Sequence, residues 1–404
     1  MQSTEDQLHI IQSGGANIVP ESALRQKLDR GVPLRVKLGV DPTAPDLHLG
    51  HAVPLRKLRQ MQDLGHQVVL IIGNGTALVG DPSGRNSTRP PLAPEQIAAN
   101  AQTYVDQAFK ILDKDKTELT WNGDWLTSLD LETLLKLTSF FTVARILERD
   151  DFSIRYKAQQ PISLHEFLYP VMQAYDSVMV KADIELGGTD QLFNLLAGRM
   201  LMEKMGMEPQ VCLTLPLLEG TDGVQKMSKS YGNYIGITDE PDDMFGKVMS
   251  VPDDLMPRYF YLASTLPVDE IDQIIAGLED QSLHPNIVKR QLAANIVTAY
   301  YDAQAAKEAE VAFDRVFKEQ RLPKDIEEVT LSLKVDDEGL VYVPGVLTEL
   351  GFTTSSGEAR RLIDGGGVKL SEETLQVGEY SIESARLIGQ VIQVGKRRYA
   401  RIMG

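Results

Sequence analysis

Between Leu34 and Asp41 the chain alternates: Leu34, Val36, Leu38 and Val40 are interleaved with Arg35, Lys37, Gly39 and Asp41. A period of two reads as a strand with one buried face. Asp41-Pro42-Thr43-Ala44-Pro45-Asp46 then reads as a turn-rich loop. Leu55, Leu58, Met61 and Leu64 follow at helical spacing, closed by Gly65. A strand that passes through a loop into a helix belongs to a doubly wound sheet, and such sheets bind nucleotides at that junction. His48-Leu49-Gly50-His51 lies at the helix start. The two histidines, three apart, share a face. Both can point at a phosphate, helped by the backbone N–H groups of the helix N-terminus. Gly50 has no side chain, so a flat base can approach its backbone. Outside this setting the same string would read as two solvated histidines.

A second segment complements the first. Val211 to Leu218 reads as a buried strand, Gly220 to Gly223 as a turn, and Lys226-Met227-Ser228-Lys229-Ser230 as a mobile surface loop at the strand's carboxyl end. Alone it would be a solvated basic loop. Two lysines there suit a pyrophosphate leaving group as it gains charge. In this order and setting the two segments resemble the nucleotide-binding motifs of class I aminoacyl-tRNA synthetases.

At 404 residues the chain has room for two or three domains. Strands alternate with helices from about Gly31 to Gly236, and Val68 to Gly73 is an apolar run of the kind found in parallel strands covered on both faces. Asp242 to Glu319 is mainly helical, punctuated by Pro252, Pro257, Pro267 and Pro285. The expected organisation is a Rossmann-like α/β catalytic domain over 1–236 with a doubly wound parallel sheet, an α-helical anticodon-side domain over 237–322, an acidic linker over 323–340, and a small C-terminal α+β RNA-binding domain over 341–404. Glu132 to Glu148 reads as one helix and Asp190 to Met205 as another. The first carries Leu134, Leu135, Leu137, Phe140, Phe141, Val143, Ile146 and Leu147, more apolar surface than one core-facing stripe needs.

Met1 to Gln12 contains Glu5 and Asp6 and has no long apolar core, so it does not read as a signal peptide. Val68 to Ile72 is too short to span a membrane. Cys212 is the single cysteine, which excludes intramolecular disulfides and cysteine-based zinc sites and favours a cytoplasmic location. A formal net charge of −16 argues against a general nucleic-acid coat, with no DNA or membrane partner expected, but leaves room for RNA binding by a local patch. Residues 341–404 form such a patch, with eight basic and seven acidic residues for a net charge of +1. Ser355 to Ile363 and Gly367-Val368-Lys369-Leu370 resemble the small RNA-binding fold of a small-subunit ribosomal protein. That resemblance implies phosphate contacts from Arg360, Arg361, Lys369, Lys396, Arg397 and Arg398.

Tyr169, Gln173 and Asp176 are spaced i, i+4, i+7 and share one face of one helix. Three polar groups there can line a solvent channel, form a structural network, or line a pocket for a substrate that is polar at both ends. Gly39 to His51, Gly80-Asp81-Pro82-Ser83-Gly84, Tyr169 to Asp176, Gly187-Gly188-Thr189-Asp190-Gln191 and Lys226 to Ser230 together resemble the bacterial tyrosyl-tRNA synthetase family. The similarity covers essentially the whole chain. It implies that Asp176 accepts a hydrogen bond from a substrate phenol and that Asp81, Tyr169 and Gln173 hold an α-ammonium. Gln191 would lie near the reacting carboxylate, completing the tyrosine set. Asp41, Thr43, His48, Gly50, His51, Gly188, Asp190, Lys226, Met227, Ser228 and Lys229 would form the ATP site. His48, His51, Lys226, Lys229 and Gln191 would be catalytic. Many relatives place a tyrosine at the position of Lys37. Strand alternation puts Lys37 on the face of Gly39 and Asp41, where pairing with Asp176 or a glutamate is open.

The implied partners are L-tyrosine, ATP and tRNA(Tyr), with a second copy of the chain as a homodimer. Mg²⁺ would arrive with ATP, and no dedicated protein metal site is expected. Three other readings stay open. They are the sister enzyme for tryptophan, whose indole offers no phenol, a small-molecule adenylyltransferase that would need neither helical region nor tail, and a non-catalytic RNA-binding relative, which should have lost a motif His or Lys.

Overall fold

The alternating segment is strand β2 (Arg35–Val40) of a six-stranded sheet; β1 spans Asn17–Val19, β3 Gln67–Ile72, β4 Thr117–Trp121, β5 Ile184–Gly188 and β6 Val211–Leu215. The order is β1-β6-β5-β2-β3-β4, all parallel except β1, which pairs antiparallel with β6. Chain order reverses beside β2, between β5 and β3, the switch point at which open α/β sheets bind ligands. The expected single buried face is corrected here. Val36, Lys37 and Leu38 are all buried, because β2 is central and helices cover both faces.

The structure, a computed structural model, describes residues 2–42, 46–81, 93–317, 326–331, 335–336, 339–371, 373–395 and 398–403. It divides into two compact units, Met1–Ala309 and Glu310–Gly404. The six-stranded sheet and the helical region after it as far as Ala309 lie in the first unit.

Ahead of β2 come α1 (Thr4–Gln12) and α2 (Glu21–Leu28); between β2 and β3 runs α3 (Leu49–Asp63), and before β4 α4 (Pro94–Ala108). After β4 come α5 (Gly123–Leu126), α6 (Leu131–Ser139), α7 (Val143–Ile146), α8 (Asp150–Lys157) and α9 (Leu168–Met179); α10 (Leu192–Lys204) separates β5 from β6. Leu55, Leu58 and Met61 of α3 are fully buried, and Gly65 (φ 94°) ends that helix in a backbone region that side chains disfavour. Val69 and Ile71 pack against Val180 and Ala182 at the end of α9, so α9 covers the face that Lys37 and Glu185 share with Val69. A second cluster joins Leu137 of α6, Val171, Ala174 and Val178 of α9, and Leu201 and Met202 of α10. The helix expected over 132–148 is two, broken at Phe140–Thr142, because Asp130 and Thr142 each cap a separate start. Only Leu137 and Ile146 of its apolar set are buried, while Leu135 and Val143 are 60% and 63% exposed.

The helical region holds α11 (Pro241–Met249), α12 (Met256–Ala263), α13 (Val268–Glu279), α14 (Pro285–Tyr300) and α15 (Ala303–Phe317). Pro241, Pro257 and Pro285 stand in first turns, where a missing N–H costs nothing. No described helix is long and apolar enough to cross a membrane.

The second unit has a five-stranded sheet and a two-stranded one. Its strands are β7 (Glu328–Thr330), β8 (Leu340–Tyr342), β9 (Val368–Leu370), β10 (Glu373–Thr374), β11 (Ser381–Glu383), β12 (Val391–Val394) and β13 (Arg398–Met403). The larger order is β10-β9-β12-β13-β7, with β11 and β8 paired separately. Helices α16 (Val343–Glu349), α17 (Ser356–Asp364) and α18 (Ser384–Leu387) complete it around Val346, Leu347, Ile363 and Ile392. The stretch read as a linker over 323–340 is corrected in part. Its residues 328–330 are β7, paired in parallel with β13, and Leu331 is buried in the core. Its acidic composition hid a short edge strand.

Candidate active site

A cavity of about 410 Å³ opens at the carboxyl ends of β2, β5 and β6. Gly39, Val40 and Asp41 line it from β2, Gly187 and Gly188 from β5, and Leu215 to Leu217 from β6. Gly50 and His51 of α3 stand on one side, Tyr169 and Gln173 of α9 on another, with Asp81, Asp190 and Gln191 between. Of the residues expected here, His48, Asp176, Met227, Ser228, Lys226 and Lys229 do not line the cavity itself, and Thr43 lies outside the described residues.

His48 caps α3 and its ring stacks on that of His51, centroids 3.8 Å apart at 23°. The His48 backbone N–H donates to His51 Nδ1 at 3.4 Å. Burial, then the neighbouring His51 and Lys229, push the His48 pKa down to about 3. Enclosure in the cleft and the Lys229 charge lower His51 as well, although its ring edge meets water at the cavity. Both rings are therefore neutral at pH 7, able to donate one hydrogen bond each without carrying charge. A Cβ on Gly50 would stand 3.1 Å from the His48 ring and 3.5 Å from Met227 Cβ, so the glycine lets the two motifs meet.

Two backbone N–H groups tie the Lys226–Ser230 loop to its neighbours. The Met227 N–H donates to Leu218 O at 2.8 Å, and the Ser228 N–H to Asn233 Oδ1 at 2.8 Å. Lys229 Nζ lies 2.7 Å from Asp46 Oδ2, which lines the cavity. Lys226 acts on Asp190, opposing the rise in its pKa that burial and Asp81 cause. The two lysines thus bracket the cavity through its acidic lining.

Opposite them is a chain of hydrogen bonds. The Tyr169 hydroxyl donates to Asp41 Oδ2 at 2.9 Å, and Thr76 Oγ1 donates to Asp41 Oδ1 at 2.7 Å. Thr76 accepts from Asn122 Nδ2 at 3.0 Å, which also donates to Asp176 Oδ2 at 3.0 Å. Trp125 Nε1 donates to Asp176 Oδ1 at 2.9 Å. Asp176 is 2% exposed, and burial lifts its pKa to about 6 against the Lys37 charge and its two donors. Asp41 meets the cavity on one edge and is enclosed elsewhere; burial, with Asp81 and Asp176 nearby, lifts it to about 7 against the bonds from Thr76 and Tyr169. A Cβ on Gly73 would fall 2.1 Å from Asp41 Oδ1, so only glycine fits beside this carboxylate. Mutually repelling carboxylates around one cavity favour a bound cation.

Asp81 is held by Arg149 Nη2 at 2.9 Å and by Gln191 Nε2 at 2.7 Å. Gln191 Oε1 accepts from Asn194 Nδ2 at 2.9 Å, so its amide has one orientation. Arg149, Asn194, Asn122, Trp125 and Thr76 were not singled out from sequence. Arg149, Asn122, Trp125 and Thr76 act through partners far along the chain, and Asn194 through Gln191 three residues before it, on no spacing that marks a site. Lys37 is answered: Nζ lies 2.7 Å from Glu185 Oε1, both side chains fully enclosed. Among the described residues, the group placed to share one metal ion is His9, Asp269 and Asp272, outside this cavity, where the imidazole already lies 3.4 Å from both carboxylates.

In the second unit Arg360 and Arg361 are exposed on α17, Lys369 is half-buried on β9, and Arg398 donates to the Phe352 carbonyl. Lys396 and Arg397 lie outside the described residues.

The family model described as tRNA synthetases class I (W and Y) matches residues 29–318. The tyrosine–tRNA ligase of Carboxydothermus hydrogenoformans is 50% identical over 401 residues, covering 98% of this chain and 97% of that protein. That of Geobacter sulfurreducens is 49% identical over 404 residues, with 99% of each chain covered. In fold, the chain is similar to the crystal structure of tyrosyl-tRNA synthetase from Archaeoglobus fulgidus complexed with L-tyrosine, with a TM-score of 0.63 at 23% identity, over 76% of this chain and 99% of that one. A switch-point cavity with the two histidines at its helix start, and full-length identity near one half to these ligases, place the chain in the tyrosine–tRNA ligase family of class I tRNA synthetases.

Proposed function

We infer that this chain is a tyrosine–tRNA ligase: it activates L-tyrosine with ATP to tyrosyl-adenylate, releases pyrophosphate, and transfers tyrosine to the 3′ end of tRNA(Tyr). The observation that carries this is one cavity joining a nucleotide junction, Gly50 and His51, to the Tyr169–Gln173 face of α9. A substrate carboxylate is already ionised at pH 7 and attacks the α-phosphate without a general base. The residues therefore position the reactants and stabilise developing charge. His48 and His51 donate toward the phosphates, and Lys226 and Lys229 neutralise the departing pyrophosphate. Asp190 meets the ribose, Gln191 the reacting carboxylate. Asp81, Tyr169 and Gln173 hold the ammonium, and Asp176 accepts from the phenol. Magnesium enters as part of the MgATP substrate. ATP–pyrophosphate exchange with tyrosine, with tryptophan and with no amino acid tests this. Exchange that prefers tryptophan, or that needs no amino acid, would overturn it.

Three further features complete the proposal. Arg360, Arg361 and Lys369 bind tRNA phosphates, with Lys396, Arg397 and Arg398 extending the set. The exposed Leu131, Leu135 and Val143 form part of a homodimer face; sedimentation as a monomer at micromolar concentration would remove that element. The single buried cysteine suits a reducing cytoplasm, which fractionation of the source cells would test.

A further inference from the structure

The tyrosine pocket has a buried charged pair behind it that the chemistry above does not use. Lys37 on β2 and Glu185 on β5 are direct register partners on adjacent parallel strands, facing the side covered by α9. Both are 1% exposed or less. Each is saturated. Lys37 Nζ donates to Glu185 Oε1 at 2.7 Å, Ser177 Oγ at 2.9 Å and the Gln173 carbonyl at 3.3 Å. Glu185 Oε2 accepts from Ser177 Oγ and Gln210 Nε2, at 2.7 and 2.8 Å, and Oε1 also receives Gln173 Nε2 at 3.4 Å. Two charges removed from water this completely persist only with such full pairing. The arrangement also demands room: a Cβ on Gly198 of α10 would lie 2.8 Å from Gln210 Nε2 and 3.1 Å from Glu185 Oε2.

Every bond from the pair to α9 reaches Gln173 or Ser177, one turn apart, and Asp176 sits between them. A carboxylate only accepts, so the Gln173 amide must present its NH₂ group to Glu185 and leave its oxygen for the cavity it lines. That oxygen is what an α-ammonium needs.

Resting on the ligase reading above, we propose that Lys37 and Glu185 are positioning residues for amino-acid selection: they hold α9 so that Gln173 turns its amide oxygen to the cavity, and they set the charge beside Asp176. The charged groups that act on Asp176 are Lys37 from β2, which favours its ionised form, and Glu185 from β5, which disfavours it more weakly; Asp41 from the end of β2 is a coupled carboxylate. The neutral donors Asn122 and Trp125 close the remaining side.

The test uses the full-length enzyme and tyrosine-dependent ATP–pyrophosphate exchange across pH. In the double variant Lys37→Gln/Glu185→Gln, both charges go while the volume stays, so no unpaired charge is buried. Its KM for tyrosine should rise about tenfold, the loss of roughly one oriented hydrogen bond, with KM for ATP nearly unchanged. The acid limb of kcat/KM for tyrosine should move to higher pH, because the stronger influence removed is that of Lys37. In Glu185→Gln alone, Lys37 remains and the limb should move to lower pH. A merely structural pair would change thermal stability without these opposite shifts. A folded double variant with parental tyrosine KM and pH profile would overturn the proposal. No tyrosine-dependent exchange by the unaltered enzyme would instead overturn the ligase reading, and this inference with it.

Discussion

Tyr169 and Asp41 are 128 residues apart in the chain, yet the Tyr169 hydroxyl donates to Asp41 Oδ2 at 2.9 Å on the cavity wall. The bond lowers the Asp41 pKa against burial, which lifts it to about 7. Tyr169→Phe should therefore leave Asp41 protonated to higher pH and weaken tyrosine binding by about 1 kcal/mol, the usual net worth of a hydrogen bond. Tyrosine KM measured at pH 6 and pH 8 checks this. The penalty should be larger at pH 6, where less of the carboxylate is ionised.

Asp176→Ala should lower discrimination between tyrosine and phenylalanine by at least about 1.5 kcal/mol, as for a hydrogen bond to a charged group. It should also destabilise the fold, because Asn122 and Trp125 lose their acceptor. The ratio of kcat/KM for the two amino acids, with thermal unfolding alongside, separates the effects. An unchanged ratio with a lowered Tm would make Asp176 structural.

His48→Ala, His51→Ala and Lys229→Ala should each slow adenylate formation by roughly 10²-fold or more, with a much smaller effect on tyrosine affinity. These groups meet charge that develops during transfer, whereas the tyrosine pocket lies on α9. Single-turnover activation and equilibrium tyrosine binding provide the two readouts. Asp46→Asn, which releases Lys229 from a partly exposed ion pair, should change stability by less than about 1 kcal/mol.

The buried titratable groups oppose one another in acid. The folded His48 pKa is pushed down from 6.5 to about 3, so below pH 6.5 the unfolded chain takes up a proton that the folded chain refuses. Stability from this group is lost as pH falls toward 3. Asp176 and Asp41 are raised from 3.8 to about 6 and about 7, so their contribution is fully present below pH 3.8 and is lost as pH rises through those values. His48→Gln should therefore flatten the fall in Tm between pH 6.5 and 4. A Tm profile parallel to that of the unaltered protein would show that His48 titrates normally.

A chain ending at Phe317 keeps every element of the first unit and should still make tyrosyl-adenylate. It should charge tRNA poorly. The cut belongs there rather than near residue 337, which would strand β7 without β13. Reversing the charge of Arg360 and Arg361 should raise the KM for tRNA, most at low salt where phosphate contacts count most, with little change for ATP or tyrosine. Full-rate charging by the truncated chain would make the helical region the main tRNA contact.

What the sequence determines by itself is local. The strand after Leu34, the helix that starts at His48 and the polar stripe of Tyr169, Gln173 and Asp176 are set by periodicities of a few residues, and these elements stand in the structure where those periodicities put them, although β2 is buried on both faces. Only the tertiary structure decides partners. Lys37 looks like an ordinary polar position on an alternating strand. It is buried because Glu185, 148 residues away, comes into register beside it. Asn122, Trp125 and Thr76 matter because the segments after β3 and β4 converge on Asp176 and Asp41, and β7 is a strand only because β13 supplies its hydrogen bonds. The physical reason is the same in each case. Backbone periodicity is an interaction between near neighbours, whereas the pairing of a buried charge or an edge strand depends on which distant segment the closed sheet brings to it.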